Sequence, residues 1–382
     1  MSYPATLPVL PIELIEHALD YLRGDPKTLA TCRLVCRAWT ARARYNLFYI
    51  IKLCMSNTPR FIRAVERDPS AAYAVHELTL EGMWNNPKRM STCPWTANLR
   101  TLRLHFMDLH SPWLPKVTQP ATNSLTELSL KTCALLDTQE LVRFLQLLPQ
   151  LKHFAASHVI IRARDDVPEK EPIEAFPAVQ SLCLWGDCRT GVPLRLLCAF
   201  TSATGGLESL SVLTIKLRTR ELVMFNDLLM LVAANLRELA LTVQPDDSQT
   251  SPGSASPLSL SACRRLSSLK LDVWLLYPGP PTHRGHLNWV VDFFASIRSD
   301  DVRRIQLDVR ANRATPCDLA ELDWGGVDRV LSLARFASLR RVVVRVKQVG
   351  VDLKTRVEPY VREQMAVVEA KGILRCVQTD SV

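Results

Sequence analysis

The stretch Leu-Pro-Ile-Glu-Leu-Ile at residues 10–15, followed by Cys-Arg-Leu-Val-Cys-Arg-Ala-Trp at residues 32–39, decides the N-terminal part of the fold. Pro11 suits the first turn of a helix, where the N–H that proline lacks would have no partner. Apolar residues then recur at helical spacing. They are Ile12, Ile15, Leu19 and Leu22, with Leu14, Ala18 and Tyr21 beside them. This pattern predicts an amphipathic helix.

A second helix is predicted directly after the first. Gly24 ends the first helix, and Asp25-Pro26 provides an N-cap followed by a proline at the first helical position. Apolar residues continue to Trp39, and Leu47, Phe48, Ile50 and Ile51 close the segment. Fifty residues cannot bury that much apolar surface among themselves, so we expect part of it to face the next domain or a partner. Periodicity alone is equally compatible with a helical cap on the domain that follows.

The order and spacing of these motifs over roughly residues 7 to 53 resemble an F-box. The resemblance implies a three-helix module that docks a substrate receptor onto the Skp adaptor of a cullin-type ubiquitin ligase. It also implies which residues form or support the adaptor-binding surface. These residues are Leu10, Pro11, Ile12, Leu14, Ile15, Leu19, Leu34, Val35, Cys36 and Trp39.

A pattern of apolar-x-x-apolar-x-apolar recurs ten times after residue 74, at starts 24 to 37 residues apart. The triplets are Val75/Leu78/Leu80, Leu99/Leu102/Leu104, Leu125/Leu128/Leu130, Leu151/Phe154/Ala156, Val179/Leu182/Leu184, Leu207/Leu210/Val212, Leu236/Leu239/Leu241, Leu266/Leu269/Leu271, Val302/Ile305/Leu307 and Leu339/Val342/Val344. Each unit predicts one short strand whose second and third apolar residues point inward. No unit can bury its apolar face alone, so the series predicts stacked parallel strands with a return layer outside them.

This series resembles a leucine-rich-repeat protein, although the Asn/Cys position of that family is matched only by Cys133. The expected fold is therefore α/β: a three-helix F-box followed by an irregular leucine-rich-repeat solenoid, with parallel strands on the concave face and helices and loops outside. The expected domains are residues 1–53 for the F-box, 54–74 for a linking helix or loop, and 75–382 for about ten repeats and a C-terminal cap.

The return layer is predicted to contain helices, and the polar insertions are predicted to be exposed loops. The helices are expected at residues 138–148, 192–203, 220–234, 286–299 and 323–336, and the loops at residues 162–177, 245–257 and 278–285. A final amphipathic helix is expected over 352–371. Residues 373–377 could add an eleventh strand that covers the open end of the core.

Composition favours a protein of a reducing compartment. Forty-seven per cent of the residues are hydrophobic, yet no stretch approaches the ~20 uninterrupted apolar residues of a transmembrane helix. The N-terminus has no basic region followed by an apolar run, which argues against a secretory signal. The odd number of cysteines, eleven, is scattered through apolar runs and suits reduced, buried thiols. We therefore expect a cytoplasmic or nuclear protein that does not bind a membrane.

The net charge of +9 raises the possibility of nucleic-acid binding, but the charges are interspersed along the sequence. No run of five basic residues occurs, and Arg303-Arg304 and Arg340-Arg341 are only pairs. A binder that neutralises phosphates is expected to concentrate its charge. The sequence therefore disfavours a nucleic-acid partner, although folding could still bring distant arginines together.

No enzyme constellation is present in the sequence. Phosphate-cradling glycine loops and the Gly-x-Ser-x-Gly elbow are absent, and no close histidine pair is joined to a Cys-x-x-Cys or a His-Glu-x-x-His. We expect no catalysis, no cofactor and no metal. Cys32 and Cys36 are interpreted as packing residues.

Ligand recognition is then predicted on the strand face opposite the inward leucines. The residues expected to bind a protein target are Trp185, Leu213, Arg304, Arg341 and Arg345. For Trp185, the alternative that a following loop folds over it stays open. The predicted function is substrate recognition in a Skp–cullin–F-box ubiquitin ligase. The alternative is a repeat scaffold with no ligase role.

Overall fold

The structure, a computed structural model, describes most of the chain. The described residues are 10–82, 98–109, 123–162, 176–186, 191–202, 207–244, 258–274, 287, 289–311, 319, 322–348 and 357–380. They divide into two compact units. The first comprises residues 1–136 and 143–151, and the second comprises residues 137–142 and 152–382.

The first unit begins with three helices: α1 (Ile12–Tyr21), α2 (Pro26–Val35) and α3 (Arg37–Tyr49). Strand β1 (Ile50–Cys54) and helices α4 (Thr58–Arg67) and α5 (Ser70–Tyr73) follow. Strands β2 (Glu77–Glu81), β3 (Thr101–His105) and β4 (Glu127–Lys131) continue the sheet, in which β1 to β4 are parallel neighbours in chain order. The short strand β5 (Ala134–Leu135) comes next, and helix α6 (Thr138–Gln146) contributes residues to both units.

The second unit alternates strands with helices. Its elements are β6 (His153–Ser157), β7 (Ile160–Ile161), β8 (Ser181–Trp185), α7 (Val192–Ser202), β9 (Val212–Arg218), α8 (Leu222–Val232), β10 (Glu238–Gln244), β11 (Ser268–Trp274), α9 (Trp289–Ala295), β12 (Arg304–Ala311), α10 (Trp324–Leu331), β13 (Arg341–Gln348), α11 (Val357–Gln364), α12 (Ala366–Ala370) and β14 (Leu374–Asp380). Short 3₁₀ turns at Thr219–Glu221, Ala233–Asn235 and Ala334–Phe336 extend the helical segments. Strands β6, β8, β9, β10, β11, β12, β13 and β14 lie side by side in this order, and each neighbouring pair is parallel.

The predicted inward residues are buried in every repeat except the sixth. There, Val212 is half-buried, and the pairing of β9 with β8 aligns Leu213 with Leu182 and Ile215 with Leu184. The sequence prediction was wrong by three residues at this point, because two overlapping leucine patterns fit residues 207–215. The later pattern supplies the alternating Leu213, Ile215 and Leu217 that a half-buried strand needs.

Two further differences concern the ends of the chain. Ile50 and Ile51 do not close the helical segment; they begin β1 and pair with Glu77 and Leu78 of β2. The single helix expected over 352–371 is instead α11 and α12, separated at Met365. Asp328 accounts for the new start, because its carboxylate accepts hydrogen bonds from the backbone N–H groups of Val367 and Val368 at 3.1 and 2.9 Å.

The remaining expectations for the return layer agree with the structure where it describes them. Helices lie within the five predicted segments, and β14 confirms a strand at the C-terminal end that pairs with β13. The predicted loops at 245–257 and 278–285, and most of 162–177, lie outside the described residues.

A left-handed backbone residue directly follows several strands. Gly82, Phe106, Thr132 and His158 come immediately after β2, β3, β4 and β6 and have φ of 65°, 55°, 53° and 54°. Only glycine adopts this conformation without steric cost. The same turn is thus repeated at corresponding positions in spite of unfavourable side chains.

Candidate functional site

The α1–α3 bundle is held by a small apolar cluster. Leu19, Leu29 and Ala43 are 3%, 0% and 0% exposed, one from each helix. Partly buried side chains pack around these three residues: Ile15, Leu22, Cys32, Trp39 and Leu47. The cluster fixes which faces of the helices remain on the outside.

The start of α2 follows from the Asp25-Pro26 dipeptide. Asp25 Oδ1 accepts hydrogen bonds from the backbone N–H groups of Lys27 and Thr28 at 3.2 and 3.1 Å, and Oδ2 accepts one from the Thr28 hydroxyl at 2.6 Å. The hydroxyl of Thr28 is the main cause that lowers the pKa of Asp25. Helix α2 ends at Val35, where Cys36 takes an extended conformation with φ −159° and ψ 164° and separates α2 from α3. The predicted cap is confirmed.

A polar network that sequence reasoning missed ties α1 to α3. Asp20 Oδ1 accepts hydrogen bonds from Arg42 Nε at 2.7 Å and from Asn46 Nδ2 at 2.9 Å. Arg23 pairs with the same carboxylate at 3.1 Å and donates to Asn46 Oδ1 at 3.1 Å. The hydrogen bond from Arg42 is the largest cause that lowers the pKa of Asp20. The sequence signal was the spacing of Arg42 and Asn46, which share one face of α3.

Large apolar side chains remain exposed on the outside of this bundle. Leu10, Ile12 and Leu14 at the start of α1 are 63%, 42% and 56% exposed. Leu34 and Val35, at the end of α2, are 86% and 60% exposed. Pro11 and Cys36 are exposed as well. An exposed apolar group of this size on a small bundle is typical of a surface that another protein covers.

The other predicted adaptor-binding residues lie inside the bundle. Leu19 is 3% exposed, so of the two expected roles, forming the surface or supporting it, its burial fits support of the helices from within. Ile15 and Trp39 are half-buried and pack against the same cluster. Tyr21, which the sequence placed on the apolar stripe, is instead 79% exposed beside His17, with ring centroids 4.9 Å apart.

The residues expected to bind a target lie on the second unit, and the structure does not bring all of them together. Leu213 is 0% exposed and points into the core, so its assignment to the open face is wrong for the register reason given above. Trp185 on β8 is half-buried, with Lys216 Nζ 5.7 Å from its ring centroid. Arg304 and Arg341 are exposed and face each other as Cα partners on β12 and β13. Strands β8 and β12 are four strand spacings apart, about 19 Å. Trp185 and the arginines therefore lie at two separate positions on the sheet.

Arg345 stands beside a buried carboxylate of the neighbouring strand. It is half-buried and stands opposite Asp308, which is 0% exposed and accepts a hydrogen bond from Gln306 Nε2 at 2.8 Å. Nearby, Arg310 binds Asp272 through its Nε and Nη2 atoms at 2.9 and 2.7 Å. The Asp272 hydrogen bond raises the pKa of Arg310. Lys270 Nζ lies 3.5 Å from Asp308 Oδ2, so each of these two buried carboxylates pairs with a cation of the neighbouring strand.

The described residues contain no group of three or more His, Cys, Asp or Glu side chains placed to hold a metal ion. The cysteines within the described ranges are free thiols, and burial raises the pKa of Cys133 and Cys263 to about 11 and about 12. No helix in the part of the chain that the structure describes is long and apolar enough to cross a membrane.

One segment of the chain matches a known family of proteins. Residues 7–50 match the family described as F-box-like, and this segment contains α1, α2 and α3. No curated protein matches the chain.

Proposed function

We propose that this chain is the substrate-recognition subunit of a Skp–cullin–F-box ubiquitin ligase. The observation that carries the proposal is the F-box-like match at residues 7–50, on a bundle that leaves large apolar side chains exposed. F-box domains generally bind Skp-type adaptors. In this role the helices dock onto the adaptor, and the second unit binds the protein that is to be modified.

The exposed apolar residues of α1 and α2 support the docking part of the proposal. Burying an exposed leucine side chain contributes about 1.5–3 kcal/mol. Leu14 and Leu34 are both more than half exposed, while the core behind them is complete. Adaptor binding therefore gains from these side chains without any rearrangement of the bundle.

We further propose that the strands from β2 onward form a leucine-rich-repeat solenoid. Three features support it: the spacing of the apolar triplets, the burial of their inward residues, and the repeated left-handed residue after β2, β3, β4 and β6. The absence of a regular Asn/Cys ladder fits an irregular form of the repeat. Cys133, the single match, is 0% exposed, and its thiol donates to the Leu104 carbonyl oxygen at 3.2 Å.

Such a subunit is not itself an enzyme and needs no cofactor. It acts by raising the effective concentration of target lysines near the ubiquitin thioester, which another subunit carries. Trp185, Arg304, Arg341 and Arg345 are the residues proposed to contact the target. A ligase receptor of this kind works in the cytoplasm or the nucleus.

The test is co-purification of the full chain with a Skp-type adaptor. Leu14→Ala combined with Leu34→Ala should reduce adaptor binding by about tenfold or more, since two apolar anchors are lost. Both side chains are exposed, 56% and 86%, so folding should be unaffected. A matched control is Val223→Ala with Leu231→Ala, which removes apolar side chains that are 48% and 70% exposed on α8.

Adaptor binding should fall by that amount in the first variant and stay at the wild-type level in the control. Wild-type binding by both variants would refute the docking surface. If the wild-type chain binds no adaptor, the alternative of a repeat scaffold without a ligase role is favoured.

A further inference from the structure

Exposed arginines collect at the start of four neighbouring strands of the second unit. They come from four separate places in the sequence, at the beginnings of β10, β11, β12 and β13. We call the group the arginine edge; it comprises Arg237, Arg264, Arg265, Arg303, Arg304, Arg340 and Arg341, all exposed. In a parallel sheet all strands begin at the same edge, so residues that precede the strands are brought together.

Backbone hydrogen bonds fix the alignment of this edge. The N–H of Ser267 donates to the carbonyl of Arg237 at 2.8 Å, and the N–H of Arg303 donates to Ser267 at 2.9 Å. The N–H of Arg340 donates to Arg303 at 2.9 Å. Arg304 and Arg341 are then direct Cα partners one position further along. The pairs Arg303-Arg304 and Arg340-Arg341 are therefore adjacent, although 37 residues separate them in the sequence.

The positive charge of this edge is not neutralised within the described residues. None of the seven arginines has an ion-pair partner there; Arg265 donates to Asn235 Oδ1 at 3.0 Å and Arg304 to Gln306 Oε1 at 3.2 Å. The exposed carboxylates near these strand starts in the described residues are Glu208, Glu238, Asp300 and Asp301, fewer than the seven arginines, which leaves an excess of positive charge. Clustered like charges create a potential that attracts anions and steers their approach.

The chemistry of arginine narrows the choice of partner. The planar guanidinium binds carboxylates and phosphates in a bidentate fashion, which favours a partner that carries one of these two anions. From β10 to β13 the edge spans three strand spacings, about 14 Å, which an extended peptide covers with four or five residues. Proteins that bind single-stranded nucleic acid also present aromatic side chains on which bases stack. The exposed aromatic side chains of the described residues, Tyr21, Tyr73 and Phe106, all belong to the first unit.

We propose that the arginine edge binds an extended, acidic segment of the target protein. This inference rests on the proposed function, because it assumes that the second unit is the part that receives a protein target. It names the chemistry of that target, a run of carboxylates, and it moves the binding site from the face of the sheet to the edge where the strands begin.

The experiment measures binding of a fluorescent peptide of twelve residues, in which glutamate alternates with serine, to the full-length chain at low and moderate salt. Binding should weaken as salt rises, because exposed charges are screened. Arg340→Gln with Arg341→Gln should weaken peptide binding about tenfold at low salt, given the usual contribution of two exposed ion pairs. Arg303→Gln with Arg304→Gln, a second variant at the same place, should have a similar effect.

The matched control is Arg60→Gln with Arg63→Gln, which removes the same two charges from exposed positions on α4. It should leave peptide binding within about twofold of wild type, because neither side chain belongs to the arginine edge. Equal losses in the control and the edge variants would overturn the proposal in favour of a net-charge effect. Absence of peptide binding at low salt would overturn it as well.

A single-stranded RNA of twelve nucleotides distinguishes the other class of partner. RNA that binds more tightly than the peptide, with the same loss in the edge variants, would overturn the assignment to an acidic protein segment. Adaptor co-purification is measured on the same preparations and should be unchanged in every arginine variant. A failure of the edge proposal is thereby separated from a failure of the docking proposal.

Discussion

Leu34 in helix α2 of the first unit is 86% exposed, whereas Leu239 and Leu269 on strands of the second unit are 1% and 0% exposed. The two regions use the same residue type in opposite ways. The helical bundle fills a small core with a few side chains and leaves other leucines and valines outside. The strands bury their leucines and leave arginines outside at the ends where they begin. Apolar periodicity therefore marks the core in the strands, whereas in the bundle it marks both the core and an exposed apolar surface.

The largest effect is expected from two leucines of α2 that differ in burial. Leu29 is 0% exposed, and Leu29→Ala should cost about 2–5 kcal/mol of stability because it leaves a cavity. Leu34→Ala should change stability by less than about 0.5 kcal/mol, since that side chain touches little. Hydrogen exchange of peptides from residues 12–49 measures both. Equal costs would remove the distinction between core and exposed leucines.

An intermediate effect is expected from the polar network of the bundle. Asp20→Asn should reduce stability by about 1–2 kcal/mol at pH 7, because a charged acceptor of several hydrogen bonds is lost and the group is partly exposed. The folded-state pKa of Asp20 lies below its ordinary value, so the ionised form is the one the fold stabilises. Ionised Asp20 contributes its full stabilisation of the folded state above the ordinary aspartate pKa, about pH 4. This stabilisation disappears as the pH falls through the lower folded-state pKa of Asp20.

The role of Asp20 is tested by the pH dependence of the stability of the helical bundle. Hydrogen exchange of the bundle in wild type and Asp20→Asn should differ at pH 7, and the two should converge in acid once the pH has fallen below the lowered folded-state pKa of Asp20. A difference that stays constant over that range would mean that Asp20 acts through packing rather than through its charge.

The smallest effect is expected at a turn that follows a strand. Thr132 has φ of 53°, and Thr132→Gly should raise stability by up to about 1 kcal/mol because glycine adopts this conformation freely. The control is Ser129→Gly on β4, where glycine should lower stability by about 0.5–1 kcal/mol. Thermal unfolding of the two variants shows whether their stability changes have opposite signs. Destabilisation by both changes would argue against strain at this turn.

Local signals in the sequence were sufficient for much of the fold. The Asp25-Pro26 cap, the helices of the return layer and the burial of the inward residues were predictable, because each depends on residues close together in the chain. The sixth repeat was misplaced because two leucine patterns overlap at residues 207–215 and only the pairing with β8 selects between them. The break between α11 and α12 at Met365 could not be predicted from the neighbouring residues. It depends on Asp328, which lies almost forty residues earlier and caps the new helix.

The candidate docking surface of the helical bundle, too, was predictable only in part from the sequence. The family resemblance gave a set of residues, and the structure separates Leu34 and Val35, which are exposed, from Leu19, which is buried. A motif records residue types and spacing, whereas burial depends on which side of each helix meets the others. The network of Asp20 with Arg42 and Asn46 was missed for that reason: it joins residues of two helices that are more than twenty positions apart in the sequence.

By itself, the sequence determined the types of secondary structure, the faces of most strands and the likeness of the first fifty residues to an F-box, because these depend on short-range spacing and on local capping. Only the tertiary structure decided where the charge lies. Arg303-Arg304 and Arg340-Arg341 are isolated pairs in the sequence, and Arg237 and Arg264-Arg265 add no visible run. Parallel pairing sets neighbouring strands about 4.8 Å apart and begins each of them at one edge. Arginines that are some thirty residues apart along the chain thereby become neighbours.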